Sequence, residues 1–247
     1  MKYTAAILAV ALLLLAAGTA DAASIVAAYE GVSGYGAKFS TDGGSNFYTT
    51  TSGRFSYDRN STHVNDDWTE EPIYHNIGAE KFYSFCIELN QNTTGGDQTY
   101  LIEDLADVAR IKDQTNAANH IAILWEEKYS MAMSQLDRAI FQACVWEIVY
   151  EDYATNGYGL GAGTFQLTST TTGLVSGANT WLAALAKGDY GTDAATLKAM
   201  TNTSYQDQIF EVAGDGDNVV PLPSSALAGM AFLGMLAVVR IRRKRHL

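Results

Sequence analysis

Two cysteines are the residues of this 247-residue chain best suited to covalent chemistry. Cys86 stands in Tyr83-Ser84-Phe85-Cys86-Ile87-Glu88-Leu89, and Cys144 in Phe141-Gln142-Ala143-Cys144-Val145-Trp146. The glutamine two positions before Cys144 widens the choice for Cys86. It can meet the thiol of Cys144, the amide of Gln142, or neither. A disulfide is the ordinary outcome for two cysteines in an exported chain. Closing the segment between them would stabilise by roughly 4 kcal/mol in a chain-entropy account. Two free buried thiols are the other plain outcome.

Helix geometry bears on the choice. The period of residues 134–150 is helical, and successive helical residues turn by about 100°, so Gln142 and Cys144 point about 200° apart. A residue on a neighbouring strand can face one of them, not both. Ile140, Cys144 and Ile148 share a stripe, which makes Cys144 a small core hydrophobe. Gln142 shares its face with Arg138, Ala139, Val145, Trp146 and Val149, and is expected to be at least partly buried. A buried amide is costly unless its polar atoms are satisfied or its chemistry is changed.

The segments Phe85-Cys86-Ile87-Glu88 and Phe141-Gln142-Ala143-Cys144-Val145-Trp146 resemble the two signature motifs of bacterial thioester domains. The first family motif is an aromatic residue or Leu, then Cys, Ile or Val, and an acid; the second is Thr-Gln-x-Ala-Ile-Trp. Order and strand-then-helix context agree. Phe141 stands in place of Thr, Cys144 of Ala and Val145 of Ile. The resemblance implies an internal thioester between the Cys86 sulfur and the side-chain carbonyl of Gln142. Glu88 is the candidate acceptor of the thiol proton, and Phe85, Tyr83, Trp146 and Tyr150 are candidate shields against water. A partner's lysine amine, or a hydroxyl, would then attack, leaving an amide or ester on Gln142. That is single-use covalent adhesion to a surface protein or polysaccharide, without enzymatic turnover. The alternative is a non-reactive structural matrix protein of the same fold, with Cys86 free or bonded to Cys144.

Other chemistry finds little support. The four histidines, His63, His75, His120 and His246, lack metal-ligand spacing, and no metal or cofactor is expected. No nucleophile elbow or phosphate loop occurs. The alternating glycines Gly157, Gly159, Gly161 and Gly163 follow a helix and lead into a strand, the wrong order for a phosphate cradle, and read as a loop.

The ends read as address labels. Lys2, an apolar run from Ala5 to Ala17 and Ala20-Asp21-Ala22 form a signal peptide over residues 1–22. At the other end, Val220-Pro221-Leu222-Pro223-Ser224-Ser225 precedes an apolar stretch from Ala226 to Val239 and a basic tail, Arg240 to Arg245. Those 14 residues make about 21 Å of helix, short of a hydrocarbon core of about 30 Å, but counting from Leu222 to Ile241 makes up the deficit. The basic tail then stays cytoplasmic. This layout resembles the PEP-CTERM type of sorting signal, in its VPLPA variant since Leu222 lies between Pro221 and Pro223. The resemblance implies processing by an exosortase, transient membrane anchoring, and delivery to the envelope, cell surface or matrix of a Gram-negative-type bacterium.

Between the labels the charge is strongly negative. Six of the 16 Lys and Arg and one of the 27 Asp and Glu lie in the ends, which leaves 10 against 26 and a net −16. Nucleic acid and anionic lipid, which need basic surface, are poor partners for such a domain.

The elements that must position Cys86 and Gln142 follow from pattern. Residues 29–76 read as strands joined by polar turns, with Asp42-Gly43-Gly44 a hairpin turn. Phe82 to Leu89 reads as a strand. Helical spacing starts at Ala117, and a second helix begins near Ser134, with Asp137 in a capping position, and runs to about Tyr150. A strand over Thr164–Thr172, a helix over Ala178–Ala186 and a last strand over Tyr205–Val212 complete the series. The expected fold is α+β: an antiparallel sandwich or barrel-like sheet with an inserted helical region, the first and last strands closing one sheet. The expected divisions are the signal peptide, a thioester-like domain over 23–213, a linker over 214–220, and a sorting signal with a transmembrane helix over 221–247.

Overall fold

The computed structural model describes residues 23–68, 73, 80–114 and 116–213. The segments expected to form the signal peptide, the linker and the sorting signal with its transmembrane helix, the Pro221-Leu222-Pro223 motif included, lie outside the described residues. Those described belong to one compact unit, Ala22–Gly214.

Seven strands and four helices make up this unit among the described residues, in the α+β class. They are β1 (Ser24–Ser40), β2 (Tyr48–Arg59), β3 (Lys81–Cys86), β4 (Asp97–Asp104), α1 (Ala117–Lys128), α2 (Gln135–Tyr150), α3 (Tyr153–Asn156), β5 (Gln166–Thr168), α4 (Leu174–Lys187), β6 (Leu197–Thr201) and β7 (Gln208–Glu211). All pairings are antiparallel, in the order β2-β3-β7-β6-β4-β1-β5. Because β2 also pairs with β1, the ladder closes on itself through six strands, and β5 is added outside on the end of β1. The first and last strands do share one sheet, yet they are not neighbours: β1 is bounded by β2 and β4, and β7 by β3 and β6.

The expected hairpin turn sits between β1 and β2, where Gly43 and Gly44 take φ of 70° and 83°. The Asp42 carboxylate ties the turn together by accepting from Asn46 N–H at 2.9 Å and Asn46 Nδ2 at 2.7 Å. Farther along the hairpin, Gly34 and Gly53 lie directly opposite each other. A Cβ on either would run into the other strand's backbone, so both positions need glycine for the close approach.

Aromatic side chains fill both faces of β3. Phe82 points into the closed ladder, with ring centroids 5.8 Å from Tyr57 and 5.4 Å from Phe210. Phe85, three residues on, takes the opposite face by strand alternation and meets Phe141 at 4.4 Å and Trp125 at 5.5 Å. The helices α1 and α2 thus cover the outer face of β3 and β7.

Helix α2 starts as its sequence indicates. Ser134 is the N-cap, and its hydroxyl accepts from Asp137 N–H at 3.1 Å. From Ala139 to Val149 every residue is buried, because sheet, α1, α4 and the glycine loop surround the helix. The loop is tied to α2 by two buried carboxylates. Glu147 accepts from Gly159 N–H at 2.5 Å, while Glu151 accepts from Phe165 N–H at 3.0 Å and Asn156 Nδ2 at 2.6 Å. Gly163, at φ 87°, passes so close to Glu151 that a Cβ would strike its carboxylate.

Candidate functional site

Cys86 is the last residue of β3, at the point where β2 leaves its side. The β2–β3 register pairs Phe55 with Ser84 and Tyr57 with Phe82, so one more rung would pair Gly53 with Cys86. The β2–β3 ladder ends at Phe55 and Ser84 while Gly53 keeps its pairing with Gly34 of β1, and the Ser52 hydroxyl donates to the Ala139 carbonyl of α2 at 2.7 Å. The helix has entered the gap. Its Gln142 supplies the missing rung: Oε1 accepts from Cys86 N–H at 2.8 Å, and Nε2 donates to the Cys86 carbonyl at 2.8 Å. The side-chain amide thereby replaces a peptide group of β2, and the main chain of Cys86 remains satisfied in an interior where Cys86 and Gln142 are both 0% exposed.

The two cysteines are free and point apart. Cys144 packs toward α4, its sulfur 3.6 Å from the Ala178 carbonyl. The Cys86 thiol turns the other way, donating to the Glu88 carbonyl at 2.7 Å and accepting from Glu88 N–H at 3.3 Å. A Cys86–Cys144 disulfide is absent, in keeping with the opposed faces of Gln142 and Cys144 on α2.

The acid at position 88 does not serve as expected. Its main chain, not its carboxylate, holds the thiol. The carboxylate forms an ion pair with Arg110 and accepts from Asn90 N–H at 2.6 Å and from the Tyr150 hydroxyl at 3.4 Å. The strand expected over Phe82–Leu89 ends at Cys86, so alternation no longer places the Glu88 side chain beside the sulfur. Two of the candidate shields are also corrected. Tyr83 and Phe85 lie on the face of β3 opposite Cys86, Tyr83 beneath the Arg54 guanidinium at 3.5 Å. Phe141, where the family motif has Thr, supplies a ring to the cluster around Phe85 rather than a hydroxyl near Gln142.

Trp146 and Tyr150 do border the site. The Trp146 indole is fully buried and its N–H finds no hydrogen-bond partner of ordinary geometry among the described residues; its interaction with the Cys86 sulfur favours the thiolate. Tyr150 accepts from Leu89 N–H at 2.8 Å and so fixes the turn after Cys86.

Burial dominates the electrostatics. It pushes the Cys86 thiol up to about 12, against the smaller opposing effects of the Glu88 main chain and Trp146, while the carboxylates of Glu88 and Asp207 push the same way as burial. Asp207 is itself raised to about 6, chiefly by burial. At neutral pH the sulfur is therefore a thiol that donates its proton to the Glu88 carbonyl. The amide carbonyl opposite is polarised by Cys86 N–H, the kind of donor that would stabilise an oxyanion at that oxygen.

Sequence pattern did not pick out Arg110 or Gln208. Gln208 is the ladder partner of Cys86 and accepts from the Ser84 hydroxyl at 3.0 Å. Arg110 is an arginine in a stretch of turns; only the need of a buried acid for a cation could have signalled it. Comparison with family models, curated proteins and solved structures finds no match to this chain.

Proposed function

We propose that this is an exported, envelope- or matrix-associated protein of a Gram-negative-type bacterium that attaches covalently to a partner through an internal Cys86–Gln142 thioester. One observation carries the reading: the Gln142 amide lies docked on the main chain of the one cysteine it would acylate, with no water-accessible surface on either residue. The chemistry balances within the pair. The Cys86 sulfur bonds to the Gln142 side-chain carbonyl carbon, the bond from that carbon to Nε2 breaks, and the thiol proton leaves with the nitrogen as ammonia. The sulfur must first give up the Glu88 carbonyl. A partner's amine or hydroxyl then takes the acyl group and returns the thiol to Cys86.

The non-reactive structural reading draws on a different observation. The thiol is raised to about 12 by burial, and the nearest carboxylate is engaged by Arg110. Intact mass separates the two. A thioester makes the purified protein one ammonia lighter than its processed sequence, and methylamine then adds across the bond to leave N-methylglutamine at 142. Cys86→Ala and Gln142→Ala abolish both changes. A mass equal to that of the sequence, indifferent to methylamine, rules covalent adhesion out and leaves the structural protein.

The sorting part of the proposal, with an exosortase as processing partner, rests on the Pro221-Leu222-Pro223 motif, apolar stretch and basic tail. Deleting residues 221–247 should release the protein into the medium; retention on the cell at the wild-type level would overturn it.

A further inference from the structure

We infer that Arg110 is a positioning residue that controls access to Cys86, and that the cleft beginning at Arg110 is the route by which reagents reach the sulfur. This concerns the thiol itself and holds whether or not the thioester forms.

The sulfur is enclosed by a turn, not by a strand. Both hydrogen bonds of ordinary geometry that the thiol makes are to the main chain of Glu88, two residues beyond the end of β3. That turn is held in place from outside. The Glu88 carboxylate anchors Asn90 N–H, the Tyr150 hydroxyl anchors Leu89 N–H, and the Arg110 guanidinium bonds to Glu88 while lying 4.8 Å over the Tyr150 ring. One arginine therefore joins the two groups that hold residues 88–90. The pair is asymmetric: the Glu88 side chain is 7% exposed and that of Arg110 is 32% exposed. The half of the clasp that can be displaced is the half that faces water.

A cleft of about 560 Å³ opens at this point, lined by Glu88, Arg110, Asp207, Glu103 and Thr201 among others. On the other sides Cys86 is closed off by packed residues. Gln142 and Trp146 of α2 lie to one side, and β7 pairs along the other through Gln208. Segment 105–114, which carries Arg110, consists of turns and takes no part in the sheet. Moving the Arg110 side chain costs the ion pair and the ring contact and disturbs no ladder. Opening elsewhere would require breaking the sheet or the α2 packing, which are far more stable than a local turn.

The test is the rate at which Cys86 is alkylated by iodoacetamide in the native full-length protein carrying Cys144→Ala, with the modified position mapped by peptide mass. Methylamine treatment beforehand converts any thioester to the free thiol, and the intact mass before and after that step reports separately whether a bond had formed. Arg110→Ala should raise the alkylation rate roughly tenfold or more, as expected when a charge-assisted clasp on a local opening is lost. Arg110→Lys, which keeps the charge but not the fork, should fall between. Arg59→Ala removes a comparable ion pair with Asp66 at a distance from the site and should leave the rate unchanged. An Arg110→Ala rate within about twofold of the parent overturns the proposal, as does an equal acceleration by Arg59→Ala, which would signify general loosening. A full-sequence mass before methylamine would refute the thioester and leave this result standing.

Discussion

In a Cys86→Ala background, where no thioester can form, Gln142→Ala should still lower the stability of the protein by roughly 3–5 kcal/mol. The alanine at 86 retains the N–H and C=O to which the Gln142 amide bonds at 2.8 Å each. Truncating the glutamine leaves both groups without a partner in the interior and opens a cavity where β2 and β3 diverge. Each stranded backbone group costs roughly 1–3 kcal/mol, and the lost packing adds to that. The expected drop in Tm is about 10 °C for a domain of this size, read by circular dichroism alongside urea unfolding. Gln142→Glu in the same background is the informative control. One oxygen can accept from residue 86 N–H, but the other faces a carbonyl and must carry a proton to bond it. Its stability should therefore approach the parent's at low pH and fall as the pH rises. A loss under about 1 kcal/mol for Gln142→Ala would show that the side chain is not acting as a rung of the sheet.

Glu147→Gln should act in the opposite direction and should be largest in alkaline buffer. Glu147 is fully buried, only one of its carboxyl oxygens is bonded, and burial raises its pKa to about 8, with Glu151 adding to the rise. The sign follows from proton counts. Between about pH 4.5 and pH 8 the folded protein keeps the Glu147 proton while the unfolded chain releases it, so rising pH favours unfolding. Full separation of the two pKa values corresponds to about 1.4 kcal/mol per pH unit. Glutamine has the same shape, still accepts from Gly159 N–H through its oxygen, and does not ionise. The variant should gain stability over the parent by several kcal/mol at pH 8, with the difference shrinking toward pH 5. Asp207 and Glu211, also raised by burial, shift both proteins alike, so the difference isolates Glu147. Parallel pH profiles for the two proteins would disprove this account.

Cys86 connects these effects to the proposed chemistry. A residue at the end of a strand normally finds its last rung on the neighbouring strand. Here the β2–β3 ladder stops at Phe55 and Ser84, and a helix side chain takes over. The substitution brings a primary amide into contact with a cysteine main chain in a dry interior, a placement suited to structural stapling and to acyl transfer alike. Mass spectrometry distinguishes the two because only the second loses ammonia.

Local signals in the sequence were strong where the structure is local. The Asp42-Gly43-Gly44 turn needs positive φ, the Ser134–Asp137 cap satisfies the first amides of α2, and the helical period from Ala117 places Ile121, Leu124 and Trp125 on the buried face. The opposition of Gln142 and Cys144 is also local, fixed by the turn per residue of an α-helix. It separates the two side chains between β3 and α4. Strands β4 and β6 were not legible. In β6, Leu197-Lys198-Ala199-Met200 has the composition of a helix and is held extended by the pairing of β4 on one side and β7 on the other. Chain ends lie outside the described residues, and their reading as export and sorting labels rests on the sequence.

What the sequence by itself determined is therefore the first hairpin turn, the helices α1 and α2 with the α2 cap, the burial of Gln142 and the face it shares on α2, because these depend on periodicity and on residues a few positions apart. The tertiary structure alone decided what those faces meet. Strand order, closure of the ladder through β1, the packing of Phe85 on Phe141, and the pairing of Glu88 with Arg110 all depend on contacts between residues distant in the chain. No pattern within one segment encodes such contacts. They are fixed when the chain packs and buried polar groups such as the main chain of Cys86 find their partners.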